Sequence, residues 1–175
     1  VFEKASHIMM KATGLFVSAA VVCTLNLSQE IIHLLFKQEY SASFDVLRIL
    51  AFLIIPFCFT LLFGLILSAC HWQKWDLVSI AVGLASAILL HGVLVSYGGY
   101  FGSAWAAVLS FCIVQAMQIY YIQKKVMKIQ WNPYLTKPML VLAIGVLSSY
   151  WVIQFPWGIK MLMTAVILVL STMIF

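Results

Sequence analysis

Long apolar runs broken by short polar connectors repeat along the chain from Ala12 to Phe175. A bilayer's hydrocarbon core is roughly 30 Å thick, so a helix needs about 20 predominantly apolar residues to cross it. Read between charged or turn-rich breaks, the runs predict about six spans, over residues 12–35, 47–69, 77–97, 102–122, 139–155 and 161–175. They are continuous rather than alternating, which selects helices over the short alternating strands of a membrane barrel. The expected fold class is therefore all-α, a polytopic transmembrane helix bundle forming one transmembrane region over 1–175.

The connectors carry their own signals. In FKQEYSASF (36–44), Ser43 is placed to cap the second span, with Asp45 in its first turn where a carboxylate suits the helix dipole. Pro56 lies inside that span and predicts a kink. CHWQKWD (70–76) reads as a tight connector, SYGGY (96–100) as a glycine-based turn, 124–137 as the longest loop with a turn at Asn132-Pro133, and 155–160 as another tight turn. Small residues recur every fourth position in two neighbouring spans: Ser79, Gly83 and Ala87 in one, Gly98, Gly102, Ala106 and Ser110 in the next. Such stripes let helix backbones approach closely where no hydrophobic effect drives association. The next step of the first stripe is His91, which places its side chain towards the bundle rather than lipid.

Composition supports membrane insertion. The chain is 65% hydrophobic and 9% charged, with a mean hydropathy of +1.09, where a soluble domain carries about a quarter charged residues. The net charge of +5 is distributed by loop and does not indicate nucleic-acid binding. Lys4, Lys11, Lys74, Lys124, Lys125, Lys128 and Lys137 fall on one side of the predicted membrane, and only Lys37, Arg48 and Lys160 on the other. The positive-inside rule then places the N-terminal end and the 124–137 loop in the cytoplasm. Trp72, Trp75, Tyr97, Tyr100, Tyr120, Tyr121, Trp131, Tyr134 and Trp157 collect at span ends as an aromatic belt. Cys23, Cys58, Cys70 and Cys112 form no CxxC pair and read as small hydrophobes. The opening Val1, the missing signal-peptide pattern and a last span ending without a polar tail lead us to expect part of a longer protein.

Catalysis has little to build on. Of the five acidic residues, Glu3, Glu39, Asp45 and Asp76 sit at span ends or in loops, without paired carboxylates, a Ser-His-Asp cue or a phosphate-binding glycine loop. No catalytic residue, cofactor or metal site is expected. Asn26, Glu30, His33 and Lys37 share one face if the helix is continuous, a strip suited to a watery vestibule. Alternatively, Ser28 caps a new short helix with Glu30 in its first turn, at the outer interface. Glu30 and His33 have the ExxH spacing of di-iron bundles, but no second pair accompanies them. His91 is either a proton- or substrate-responsive group or a neutral partner of a neighbouring helix. Gln115 and Gln118 either bind sugar hydroxyls or join helices. Arg48 either meets a diphosphate or snorkels to headgroups.

Three stretches resemble a known family. LLFKQEYSASFDVLRILA (34–51), SACHWQKWDL (68–77) and YGGYFGSAWAAVLS (97–110) are similar, in order and spacing, to elements of the polysaccharide flippases of the multidrug/oligosaccharidyl-lipid/polysaccharide exporter superfamily. The resemblance covers roughly 12–122; the last two spans match only as generic helices. It implies helices nine to fourteen of a fourteen-helix exporter, the C-terminal lobe without its first two helices. Two such lobes rock around a central cavity to move a lipid-linked oligosaccharide outward. The implied setting is the bacterial cytoplasmic (inner) membrane, with membrane lipids, the undecaprenyl-diphosphate-linked substrate and polysaccharide polymerase or assembly proteins as partners. The chain departs from the family pattern at Lys37, usually Gly, at His71 or Trp72, where the connector usually has a Gly, and at His91, near a common Asn. A drug or metabolite exporter of the same superfamily, a non-transporting scaffold for polysaccharide assembly, and a membrane transferase are the competing readings.

Overall fold

In a computed structural model, residues 2–35 and 43–126 are described. They form three helices, α1 (Phe2–Leu35), α2 (Ser43–Ala69) and α3 (Gln73–Lys125), and each is long and apolar enough to cross a membrane. The expected spans at 139–155 and 161–175 lie outside the described residues, as do Lys37, Glu39, Lys128, Trp131, Tyr134, Lys137, Trp157 and Lys160.

Helices α1 and α2 pack antiparallel. Val17, Val21 and Leu25 meet Ala51, Ile54, Ile55 and Cys58, whereas Met10 meets Leu62, Phe63 and Ile66 together with Ile122 of α3. Positions rising along α1 thus face positions falling along α2. Helix α1 begins well before the expected Ala12 because nothing between Phe2 and Lys11 breaks a helix, and Ser6 and Met10 are buried. It also runs unbroken through Ser28, which corrects the expectation of a new helix capped there. The Ser28 hydroxyl instead donates to its own helix at the Leu25 carbonyl, 3.2 Å away. With no Gly or Pro nearby, the i→i−4 ladder simply continues. Pro56 is accommodated within α2.

A Schellman motif joins α2 to α3. The Trp72 amide donates to the Leu67 carbonyl at 2.9 Å and the His71 amide to Ser68 at 3.1 Å, the two bonds that define this helix ending. His71 takes φ 62°, a left-handed conformation that costs a non-glycine residue roughly 1–2 kcal/mol. Trp72 then packs on the cluster containing Leu67, the apolar contact that usually accompanies the motif.

Helix α3 has 53 residues and would extend about 80 Å if straight, far beyond a bilayer of roughly 40–45 Å. It doubles back at Gly99, whose φ of 54° and ψ of −132° are non-helical and suit only glycine. The limbs α3a (73–98) and α3b (100–125) lie antiparallel. Asp76 reaches Gln118, 42 positions away, and the Trp75 and Tyr121 rings stack with centroids 4.7 Å apart. The segments expected as the third and fourth spans, 77–97 and 102–122, fall on these two limbs.

The small-residue stripes form the seam between them. A Cβ on Gly102 would strike the Leu94 backbone carbonyl, and one on Gly83 would strike the Val114 side chain. Gly102, Ala106, Ser110, Val114, Gln118 and Ile122 are all buried, and steps of four drift about 40° each around a helix. The stripe therefore faces α3a near the bend and α2 by Ile122. Gly98 is the exception, with nothing near it. The opposite face is apolar and open: Leu84, Ile88 and Leu89 are 64%, 67% and 70% exposed, as a lipid-facing surface should be.

Two substitutions test this architecture by thermal unfolding in detergent. Gly102→Ala should destabilise by about 1–3 kcal/mol, because the new methyl meets backbone that cannot rotate away. His71→Gly should stabilise by roughly 1 kcal/mol through relief of the left-handed conformation.

Candidate functional site

The densest polar constellation lies where α2, α3a and α3b meet, a turn or two inside the end that carries Lys74, Lys124 and Lys125. The Gln118 amide is 1% exposed. Its Nε2 donates to Asp76 Oδ1 at 2.7 Å and to the Thr60 carbonyl at 3.2 Å. The knot thus ties both limbs of α3 to α2. Asp76 approaches the α2 backbone because Gly64 leaves room, a Cβ there lying 3.2 Å from Asp76 Oδ2. Two further oxygens, Gln118 Oε1 and Thr60 Oγ1, are buried without a hydrogen-bond partner.

Beside this knot opens a groove of about 330 Å³, lined by Thr60 of α2, Ile80, Gly83, Leu84 and Ala87 of α3a, and Ser110, Phe111 and Val114 of α3b. Ser110 spends its hydroxyl on the Ala107 carbonyl, so the lining is apolar and suits a hydrocarbon chain rather than a sugar. His91 lies one turn beyond Ala87 on the same stripe, half-buried, with Nδ1 2.9 Å from the Ala87 carbonyl of its own helix. Gln115 is half-buried on α3b. The structure does not bring His91, Gln115 and Gln118 into one cluster.

At the opposite end, Arg48 bridges α2 to α1. Its Nε donates to Ser28 Oγ at 3.3 Å, and its Nη1 lies 3.8 Å from Asp45. Asn26 is buried nearby on α1, and Glu30 falls on the same helix, one turn further along. Arg48, Asn26 and the Glu30 backbone therefore lie at one end of the bundle, and the Asp76 knot at the other. The basic end is aromatic: Lys125 Nζ sits 4.5 Å from the Trp72 ring centroid and 5.4 Å from that of Trp75, while Lys124 Nζ lies 5.4 Å from the Tyr120 centroid and donates to its hydroxyl. Cation–π pairs of this kind hold ammonium groups at a membrane interface.

The sequence reading missed Asp76 and Thr60, the first because it sits in a connector motif, the second because a lone Thr in an apolar run carries no signal. Gln118 was named from the sequence as a residue that binds sugar hydroxyls or joins helices, and here it joins helices. It continues the stripe Gly102, Ala106, Ser110 by two steps of four. The chain matches no family model, no curated protein and no solved structure.

A double-mutant cycle on Asp76→Ala and Gln118→Ala, read by thermal or denaturant unfolding, should give a coupling of about 1–3 kcal/mol, as for a buried hydrogen bond to a charged group.

Proposed function

We propose that this chain is part of a membrane transporter that flips undecaprenyl-diphosphate-linked oligosaccharide across the bacterial cytoplasmic membrane for surface polysaccharide export. The reading rests on the resemblance in three stretches, and one observation carries it furthest. His71, in the connector where that family usually has a glycine, adopts a positive φ, the backbone conformation that favours glycine. The third stretch, YGGYFGSAWAAVLS, likewise coincides with the bend at Gly99 and the close approach at Gly102.

In this reading the three described helices belong to a lobe of about six spans, its N-terminal end cytoplasmic by the positive-inside rule. The doubled-back α3, seamed by glycines and tied to α2 by Gln118, moves as one body against a second lobe. A diphosphate-sugar headgroup crosses only where polar groups replace its water. Within the lobe, His91, Gln115, Asn26, Glu30 and Arg48 are the groups we assign to that path, with Gln118 holding its helices together.

The test is complementation of a polysaccharide-export mutant by the full-length gene. Wild type should restore surface polysaccharide, and His91→Leu or Gln115→Leu should lower export at least several-fold at equal membrane abundance. Restored efflux of small cations without polysaccharide would select a drug or metabolite exporter. Full export by the apolar variants would favour a scaffold.

A further inference from the structure

The groove between α2 and the two limbs of α3 has the bore of a single hydrocarbon chain. It runs from Ile80 to Ala87, roughly 10 Å along α3a at about 1.5 Å per residue. Its volume of about 330 Å³ over that length gives a mean cross-section of about 30 Å². A helix with its side chains is about 10–12 Å across, so neither a further span nor a second copy of this chain fits within it. Polar atoms stay out of the lining. Ser110 donates to the Ala107 carbonyl, and Thr60 Oγ1 is buried. The space exists because Gly83, Ala87 and Ser110 bring little side chain to it, and packed protein forfeits dispersion contacts wherever such space stays empty. Its open side continues into the lipid-facing surface. Phe57, Leu61 and Leu65 of α2 are exposed, as are Leu77, Ile80 and Leu84 of α3a, and steps of three or four keep each row on one side of its helix. Ile80 and Leu84 belong to the groove itself, and Phe57 touches its Phe111.

We propose that this groove holds one acyl chain of a membrane phospholipid, from the leaflet at the Lys74 end of the bundle. Depth selects the leaflet. Ile80 and Ala87 lie roughly 9 and 20 Å beyond Lys74 along the helix, and one leaflet of a hydrocarbon core of roughly 30 Å is about 15 Å deep. The groove therefore takes the distal part of a chain whose headgroup sits level with Lys74. That lysine is exposed and forms no salt bridge among the described residues, while Asp76 is held by Gln118. Its ammonium suits the single negative charge of a phosphodiester. Gln73, also exposed, heads the row of Leu77, Ile80 and Leu84 at helical spacing and offers the headgroup an amide. Phospholipid is moreover the bulk component of the bilayer, so mass action fills the groove without high affinity. The chain touches α2, α3a and α3b together, and so wedges the seam where its small residues leave it widest. It does so whatever molecule the protein carries.

The experiment places the purified full-length protein in phosphatidylethanolamine vesicles containing a phosphatidylglycerol with a diazirine midway along one acyl chain. After irradiation, labelled positions are read by peptide mass spectrometry. Label is expected on Ser110 and Val114, which are buried and closed to bulk lipid, and native mass spectrometry in detergent should show one retained phospholipid. Ala87→Leu, which fills the groove, and Ile80→Trp, which blocks its rim, should each lower both signals at least several-fold. Ala85→Leu, on the exposed face of α3a, should leave them unchanged. Thermal unfolding checks that the variants fold, and the wild-type labelling pattern decides the matter even if a filled groove does not. Label confined to exposed residues such as Leu84 and Leu89, unchanged labelling in Ala87→Leu and Ile80→Trp, or a retained isoprenoid lipid in place of phospholipid would overturn the proposal. So would disulfide formation between Ala87→Cys and a cysteine placed within 139–175, since the chain itself then covers the groove. None of these readouts depends on transport, so they stand apart from the complementation test.

Discussion

The close approach of the two limbs of α3 is the constraint on which the rest of the structure depends. Lipid supplies no hydrophobic drive between helices, so association rests on van der Waals contact and interhelical hydrogen bonds. Both need backbones brought near, and here glycine does this at two places. Gly102 admits the Leu94 carbonyl, and Gly83 admits Val114. With the limbs in register, Gln118 comes opposite Asp76 and Tyr121 opposite Trp75. The bend at Gly99 makes this possible, and it needs a residue free to adopt φ 54°.

The same economy governs the polar groups. Ser18, Thr24, Ser79, Ser86 and Ser96 each donate to a carbonyl three or four residues back on their own helix, which satisfies a hydroxyl without water. Local bonding of this kind contributes little to joining helices. Two side chains donate from one helix or limb to another, Arg48 to Ser28 at one end and Gln118 to Asp76 and Thr60 at the other. They lie at opposite ends of the bundle. Between them the contacts are apolar, with Phe57 edge-on to Phe111 at 5.7 Å and the Val17–Val21–Leu25 row against α2. The described helices are thus tied by polar groups near both ends and by apolar contacts between them.

Much of this was legible in the linear chain. Apolar runs separated by CHWQKWD and SYGGY locate α2, α3a and α3b to within a few residues, because span length and turn chemistry are local properties. The fourfold stripes announced which faces would meet, and their outcome at Gly83 and Gly102 follows from the absence of a Cβ. Ser28 misled. Its capping potential is real in isolation, but a continuing helix offers its hydroxyl the Leu25 carbonyl and keeps the backbone ladder intact. His71 was visible only as a departure from a familiar pattern, and its strain emerges from the turn it must close.

Local composition alone determined that these segments are helical, apolar and membrane-length, since period, length and hydropathy are written residue by residue. The partnership of Asp76, Gln118 and Thr60 was decided by tertiary structure, because it joins positions up to 58 apart whose spacing means nothing until α3 folds back on itself. Likewise, the burial that leaves Gln118 Oε1 and Thr60 Oγ1 without partners exists only once α2 and the two limbs of α3 close around them.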